Sequence, residues 1–306
     1  MKKFVVFGAN GFIGSNLVER LTENAKVFAV DLYSRPACFK ASNNIEIIKA
    51  DIAKESKIIS DLGTKELNGV VWAVGGMIPA DKLDHKVTIF EMLEPTVRLL
   101  KRFMERGIPI VLTSSAGMLY RPKATRLNEN DEVDPWTWYG LQKLIIEKSL
   151  RMLSKSVNNS LVKILRITSV YGERQPTDRD QGVIAKLFRS ALKKEPFVLY
   201  GSESARREYV YVGDLAKIIE ILLTKDMKYP IYNVSTGTGK TLREVRKIIE
   251  RVTGNKIEII RKEKRDIDPN HIDVSNARLL KELKGFQFTS LEEGLQKTYD
   301  WYKKSL

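Results

Sequence analysis

The chain has 306 residues, 43% hydrophobic and 29% charged, the balance of a globular protein with a sizeable core and room for an appended lobe. Its net charge of +14 is spread along the chain and interleaved with acids, as in Lys262-Glu263-Lys264-Arg265-Asp266. This argues against a nucleic-acid-binding tract and favours anionic small molecules. No apolar run reaches the ~18 residues that span a bilayer, and the single cysteine, Cys38, rules out an intramolecular disulfide, so a cytoplasmic protein without membrane attachment is expected.

The first predicted element is a strand over Phe4–Gly8, which also argues against a secretory leader there. Gly8-Ala9-Asn10-Gly11-Phe12-Ile13-Gly14 then leads into a predicted helix over Phe12–Thr22. Glycines at such a junction allow a tight turn and bring backbone N–H groups to a pyrophosphate at the positive end of the helix dipole. A second strand, Lys26–Val30, is followed by Asp31, 23 positions after Gly8. That is near the ~20 expected of the carboxylate that binds adenosine ribose hydroxyls. Asp31 would repel a 2′-phosphate, so NAD is expected over NADP; Arg35 is the one nearby cation that could soften the preference. Gly8, Asn10, Gly11, Phe12, Ile13, Gly14 and Asp31 are expected cofactor contacts.

Further strands are predicted at Ile45–Lys49, Val70–Val74, Ile108–Thr113 and Leu161–Arg166, near-continuous apolar runs that need cover on both faces. They alternate with helices over Asp84–Arg106 and Trp138–Leu153. The pattern predicts an α/β fold with a doubly wound, mostly parallel sheet of Rossmann type. Beyond about residue 172 the rhythm changes. A helix Gly182–Lys193, a strand Phe197–Tyr200, a strand Tyr209–Val212, a helix Asp214–Thr224 and a strand near Tyr232 follow. A helix Leu242–Thr253, a strand Ile257–Ile260 and two terminal helices complete a smaller α/β substrate lobe. The expected division is an NAD-binding domain over 1–171, rejoined by about 209–235, with 172–208 and 236–306 forming the substrate-binding lobe. His85, His271 and Cys38 lie far apart, so no metal site is expected. The sequon at 158–160 carries no meaning in a cytoplasmic protein.

Tyr139 and Lys143 stand four residues apart, one turn on the same helix face. A phenol titrating near ~10 is a poor base at neutral pH. A lysine cation close by favours phenolate, so such a tyrosine can exchange a proton with a sugar hydroxyl.

With these residues in view, the whole chain resembles the extended short-chain dehydrogenase/reductase family, and within it the nucleotide-sugar epimerases and dehydratases. The spacing of Gly8, Gly11 and Gly14 is similar to that family's GxxGxxG fingerprint, and Asp51-Ile52 to its adenine-contacting pair. Leu165-Arg166-Ile167-Thr168-Ser169-Val170-Tyr171-Gly172 resembles its "LR…NVYG" segment, which implies substrate contact at Ser169. Gly182-Val183-Ile184 and Leu199-Tyr200-Gly201 resemble its nucleotide-contacting lobe. Arg207-Glu208-Tyr209-Val210-Tyr211-Val212-Gly213-Asp214 resembles its "RDFVYVDD" stretch, which implies a diphosphate-binding role for Arg207. Leu291-Glu292-Glu293-Gly294-Leu295, with Trp301-Tyr302, is similar to its C-terminal signature.

The resemblance implies a Ser or Thr at the end of the fifth strand. Counting from that strand selects Ser115 and counting back from Tyr120 selects Ala116; Ser115 is chosen because a hydroxyl is required. It implies catalysis by Ser115, Tyr139 and Lys143, with Tyr139 and Lys143 also touching NAD and Ser115 and Tyr139 touching substrate. Trp72-Ala73-Val74-Gly75-Gly76 stands where relatives have a His-Ala-Ala run, leaving Ala73, Val74 and Gly75 as expected cofactor contacts. Met92 stands where relatives often have an Asn that supports a proton relay. Ala116-Gly117 replaces the acid pair that dehydration needs. The implied activity is a UDP-hexose 4-epimerase working through a transient 4-keto sugar. A nucleotide-sugar 4-ketoreductase or dehydratase, and a non-catalytic NAD-binding sensor, remain as alternatives. The resemblance also implies a homodimer through the helices near 84–106 and 138–153, whose apolar stripe includes Phe90, Leu93, Val97 and Leu100; packing within one subunit explains that stripe equally well.

Overall fold

A computed structural model describes residues 1–53, 62, 65–75, 78, 92–123, 125–157, 161–179, 181–266 and 271–305. His85, Phe90, Gly76, the sequon at 158–160 and the start of the helix expected over 84–106 lie outside the described residues.

The first six strands in the chain are β1 (Lys2–Phe7), β2 (Ala25–Asp31), β3 (Ile45–Lys49), β4 (Gly69–Trp72), β5 (Ile110–Ser115) and β6 (Val162–Ile167). Next come β7 (Ser169–Tyr171), β8 (Phe197–Tyr200), β9 (Arg206–Arg207), β10 (Tyr209–Tyr211), β11 (Ile231–Val234), β12 (Lys240–Thr241) and β13 (Ile259–Lys262). Seven of them form one parallel sheet in the order β3-β2-β1-β4-β5-β6-β11.

Period-two alternation builds a core on each face. Phe4 and Val6 of β1, with Val27 and Ala29 of β2, pack against Leu17, Val18 and Leu21 of the helix Phe12–Thr22 and Leu215, Ile218 and Ile219 of the helix Val212–Thr224. Val5 and Phe7, with Phe28 and Val30, pack on the opposite face against Leu100 and Phe103 of the helix Glu94–Glu105 and Ile146 and Leu150 of the helix Trp138–Val157. Each of the larger of these side chains contributes about 1.5–3 kcal/mol through burial. Leu93 and Leu100 of the expected dimer stripe are buried in this second core.

The strand order reverses at β1, which lies between β2 and β4, so the chain departs to opposite sides of the sheet there and leaves a crevice at the strands' carboxyl ends. β11 returns to the central sheet beside β6, after the chain has visited the smaller lobe. That lobe pairs β8 with β13 and β9 with β12, while β7 pairs with β10. Its core joins Tyr171, Phe188, Phe197, Tyr211, Val245, Ile249, Leu295 and Tyr302. The helix Leu242–Thr253 starts where expected because a capping box closes it: the Thr241 side chain accepts from the Glu244 N–H, and the Glu244 carboxylate accepts from the Thr241 N–H at 2.8 Å.

Several boundaries differ from expectation: the first strand starts at Lys2, the fifth is shifted to Ile110–Ser115 and the helix from Trp138 runs on to Val157. Val212, read as the end of a strand, opens the helix Val212–Thr224, because buried Asp214 in its first turn accepts two hydrogen bonds from Thr289, at 2.7 and 2.9 Å. The strand read at Ile257–Ile260 is shifted to Ile259–Lys262, where it gains β8 as partner. No helix among the described residues is long and apolar enough to cross a membrane.

Candidate active site

The glycine turn lies at the sheet crevice. Gly8 has φ +77°, and the Gly11 N–H donates to its carbonyl at 3.0 Å. A Cβ on Gly8 would stand 2.6 Å from the Ala73 carbonyl oxygen beyond β4, and one on Gly14 only 2.0 Å from the Gly8 carbonyl oxygen. The turn, the first helix and the end of β4 therefore meet backbone to backbone. Gly11 is the helix N-cap and supplies no side-chain cap, so first-turn N–H groups remain for an anion. The residues present thus fit the pyrophosphate of a dinucleotide.

Asp31 ends β2, and its Oδ2 accepts from the Asn10 N–H at 2.9 Å. Asn10 itself is buried, and its side chain is used within the protein: Nδ2 donates to the carbonyls of Arg35 and Pro36, and Oδ1 accepts from the Cys38 N–H. Phe12 packs on the core of the smaller lobe and Ile13 on that of the sheet. Asp51 accepts from the Ala53 N–H at 2.9 Å, and Ile52 packs beneath the sheet. Ala73 and Val74 are half-buried at the end of β4, and Gly75 is exposed with open space around it. Trp72 is a core residue whose ring lies tilted at 40° against Phe7, centroids 5.0 Å apart.

Ser115 ends β5, and its hydroxyl is hydrogen-bonded to the phenol of Tyr139 on the facing helix. Ala116, the other candidate by counting, is wholly buried in an apolar cluster with Tyr120, so of the two it is Ser115 that meets Tyr139. Lys143 lies one turn beyond Tyr139 with Nζ 5.7 Å from its ring centroid, and donates to the carbonyls of Thr113 (3.3 Å) and Val74 (3.4 Å). Those carbonyls, at the ends of β5 and β4, aim the lysine at the crevice. Burial pushes the Tyr139 phenol up to about 12, with Ser115 opposing it. Burial also pushes Lys143 down to about 8, with Glu147 opposing. Desolvation is thus the dominant influence on the Tyr139 phenol in this pocket, and the group that opposes it is Ser115.

Ser169 is half-buried at the start of β7, its N–H donating to the Glu208 carbonyl at 3.1 Å. Arg207 lies on the short β9–β12 ribbon close to Tyr209, whose phenol its charge pulls down against burial. Met92 faces the helix Trp138–Val157, where its sulfur accepts from Gln142 Nε2 at 3.3 Å. Among the described residues, no group of three or more His, Cys, Asp or Glu could hold a metal.

Sequence reasoning missed a buried set beneath these groups. Glu147, one turn past Lys143, pairs with Arg166 of β6, and Arg166 donates to the Tyr120 hydroxyl at 2.8 Å. The four-residue step from Lys143 to Glu147 on one helix face was the available signal.

A family model described as the NAD dependent epimerase/dehydratase family matches residues 4–235. The chain is 27% identical to a putative UDP-glucose 4-epimerase of Methanocaldococcus jannaschii, covering 98% of each. It is 26% identical to a dTDP-4-dehydro-6-deoxyglucose reductase of Escherichia coli, over 96% of this chain and 95% of that one. Among solved structures, a UDP-glucose 4-epimerase of Thermotoga maritima with UDP-glucose superposes with a TM-score of 0.89 at 25% identity, covering 99% of each chain. The UDP-glucose 4-epimerase of Thermus thermophilus in complex with NAD gives 0.85 at 25% identity, covering 99% and 100%.

Proposed function

The chain belongs to the NAD-dependent epimerase/dehydratase family, and on that premise we propose that it is a UDP-hexose 4-epimerase acting through a transient 4-keto sugar. The likeness to UDP-glucose 4-epimerases over nearly the whole chain supports this reading. So does the convergence of the glycine cradle and the Ser115–Tyr139–Lys143 group at one end of the sheet.

NAD, when bound, supplies reversible two-electron oxidation at the sugar carbon. Phe12, Ile13 and Gly14 would meet its pyrophosphate with first-turn N–H groups. Gly8 and Gly11, whose own N–H groups bond within the protein, would allow its close approach to the backbone, and Asp31 would hold its adenosine ribose. Asp51 and Ile52 would meet the adenine, and Ala73, Val74 and Gly75 would line the path to Lys143. Tyr139 takes the proton of the substrate's 4-hydroxyl and later returns it. Ser115 holds the reacting oxygen and, by donating to the phenolate, works against the burial that keeps Tyr139 protonated. The Lys143 ammonium acts in the same direction through space and would bond the nicotinamide ribose. Ser169 orients the sugar, and Arg207 clamps the diphosphate with a planar cation. Residues 1–171 with about 209–235 form the cofactor half, and 172–208 with 236–306 the substrate half. Ala116 and Gly117, which follow Ser115, carry no acid or base for eliminating water.

We place the protein in the cytoplasm as a homodimer. Trp138, Ile145 and Met152 are exposed at seven-residue spacing on the helix Trp138–Val157 and form an apolar stripe that a second copy would cover. Incubation with UDP-glucose, UDP-galactose and their N-acetyl forms without added cofactor tests the activity. Interconversion is expected. No interconversion there, together with stoichiometric NADH oxidation when NADH and a nucleotide-linked 4-keto sugar are supplied, would establish a 4-ketoreductase instead.

A further inference from the structure

Among the described residues, three non-glycine residues have positive φ: Tyr33 (45°), Arg174 (64°) and Lys194 (56°). Such backbone costs energy and persists where its surroundings hold it. Tyr33 opens the segment that follows Asp31, and Arg174 lies in the loop after β7; these two segments meet along the helix Phe12–Thr22.

Arg174 makes the junction with all three guanidinium nitrogens. Nε donates to the Cys38 carbonyl at 2.8 Å, Nη1 to Asn16 Oδ1 at 2.8 Å, and Nη2 pairs with Glu19 at 2.6 Å. Its side chain is 12% exposed, so these bonds are largely sheltered from water. Asn16 answers with a bond from Nδ2 to the Glu173 carbonyl at 3.0 Å, and Glu19 also accepts from the Lys40 N–H at 3.0 Å. Cys38 is held in turn by Asn10, whose own N–H is bonded to Asp31. An unbroken path therefore runs from Arg174 through Cys38 and Asn10 to the carboxylate at the end of β2. A planar fork is suited to this hub, because an ammonium cannot satisfy three divergent acceptors in one plane.

We propose that Arg174 is a positioning residue that clasps segment 33–40 to the first helix and so slows the release of NAD, keeping the cofactor on the enzyme between turnovers. The proposal rests on the reading of Gly8 to Asp31 as the NAD site. An epimerase regenerates its cofactor in every cycle, so a clasp of this kind suits retention, whereas a reductase must exchange the cofactor at each turnover.

The test is stopped-flow displacement of bound NADH by excess NAD, in the full-length wild type and in Arg174→Ala and Arg174→Lys, with UDP affinity and thermal midpoint measured beside it. Arg174→Ala is expected to release NADH about tenfold faster or more, the effect of losing charge-assisted bonds. Arg174→Lys should fall between it and wild type, and UDP affinity should stay within about twofold, since a local loss leaves distant sites additive. Release at the wild-type rate would overturn the clasp alone, as would a parallel fall of NADH and UDP affinity with a collapsed thermal midpoint. If Arg174→Ala does not fold, Glu19→Gln, which removes only the ion pair, must still speed release; an unchanged rate there overturns the proposal. A wild type that binds no NADH would overturn the cofactor reading itself, and the clasp with it.

Discussion

Arg166 of β6 and Glu147 of the helix Trp138–Val157 form an ion pair, Nη2 to Oε2 at 2.8 Å, with side chains only 5% and 1% exposed. Arg166 also donates to the Tyr120 hydroxyl, which donates to Asn233 Oδ1 at 3.0 Å, so the helix carrying Tyr139 and Lys143 is fastened to β6 and β11. Removing one partner strands a charge away from water. Glu147→Gln and Arg166→Gln should each cost about 3–5 kcal/mol, while Glu147→Leu combined with Arg166→Met should recover most of it. Urea unfolding of the single and double variants measures this; a double variant that costs as much as the two singles together would show that the pair is not coupled.

Lys143 gives a pH-dependent result. Its fall from an ordinary 10.5 to about 8 comes first from burial, offset in part by Glu147. The folded state therefore releases the proton more readily than the unfolded chain. Below pH 8 both states are charged and the folded state bears the full penalty, about 3 kcal/mol. Between pH 8 and 10.5 the unfolded state binds more protons, and stability rises with pH. Lys143→Met should thus be more stable than wild type at pH 7 by up to about 3 kcal/mol, with the gain fading across that window, while epimerisation is lost. Chemical denaturation at pH 7, 9 and 10.5 checks it, and a variant less stable at pH 7 would contradict the burial cost.

Much of this fold is legible in the sequence because its signals are local. The alternation in β1, the glycine turn before Phe12–Thr22 and the capping box of Leu242–Thr253 are written within a few residues. β7 and β9 escape notice because two or three residues become a strand only when β10 and β12 arrive from far along the chain. The candidate site divides in the same way. The spacing of Tyr139 and Lys143 is a helix property, whereas the choice of Ser115 over Ala116 needs the facing helix, and the acidity of Tyr139 needs the depth of its burial. Arg166 stands in a recognisable motif, yet its partner Glu147 becomes evident only when β6 and the helix are packed together.

The glycine cradle predicts a steric failure. Gly14→Ala would set a Cβ 2.0 Å from the Gly8 carbonyl oxygen, backbone that no side-chain rotation relieves. The first helix must lift from the turn, at a cost of about 1–3 kcal/mol as in other overpacked sites. NADH binding should be lost first, because the N–H groups that would meet the pyrophosphate move with the helix. Fluorescence titration with NADH and thermal unfolding together check it; undiminished affinity would mean that the turn yields without disturbing the cradle.

Glu208, between Arg207 and Tyr209, gives the opposite pH signature from Lys143. It is 2% exposed; Oε2 accepts from the Val274 N–H at 3.1 Å, and Oε1 is buried with no hydrogen-bond partner among the described residues. Burial, with Asp273 adding to it, raises its carboxyl from 4.5 to about 7, against the Val274 bond, Arg126 and Ser235. Between those values the folded state keeps a proton that the unfolded chain has lost, so stability falls as pH rises from 4.5 to 7, by about 3 kcal/mol in all. Glu208→Gln keeps an acceptor for Val274 and removes the charge. The variant should match wild type near pH 4.5 and exceed it by up to about 3 kcal/mol at pH 8. Denaturant unfolding across pH 4.5–8 measures the difference, and parallel pH profiles for the two proteins would exclude Glu208 as the source of the slope.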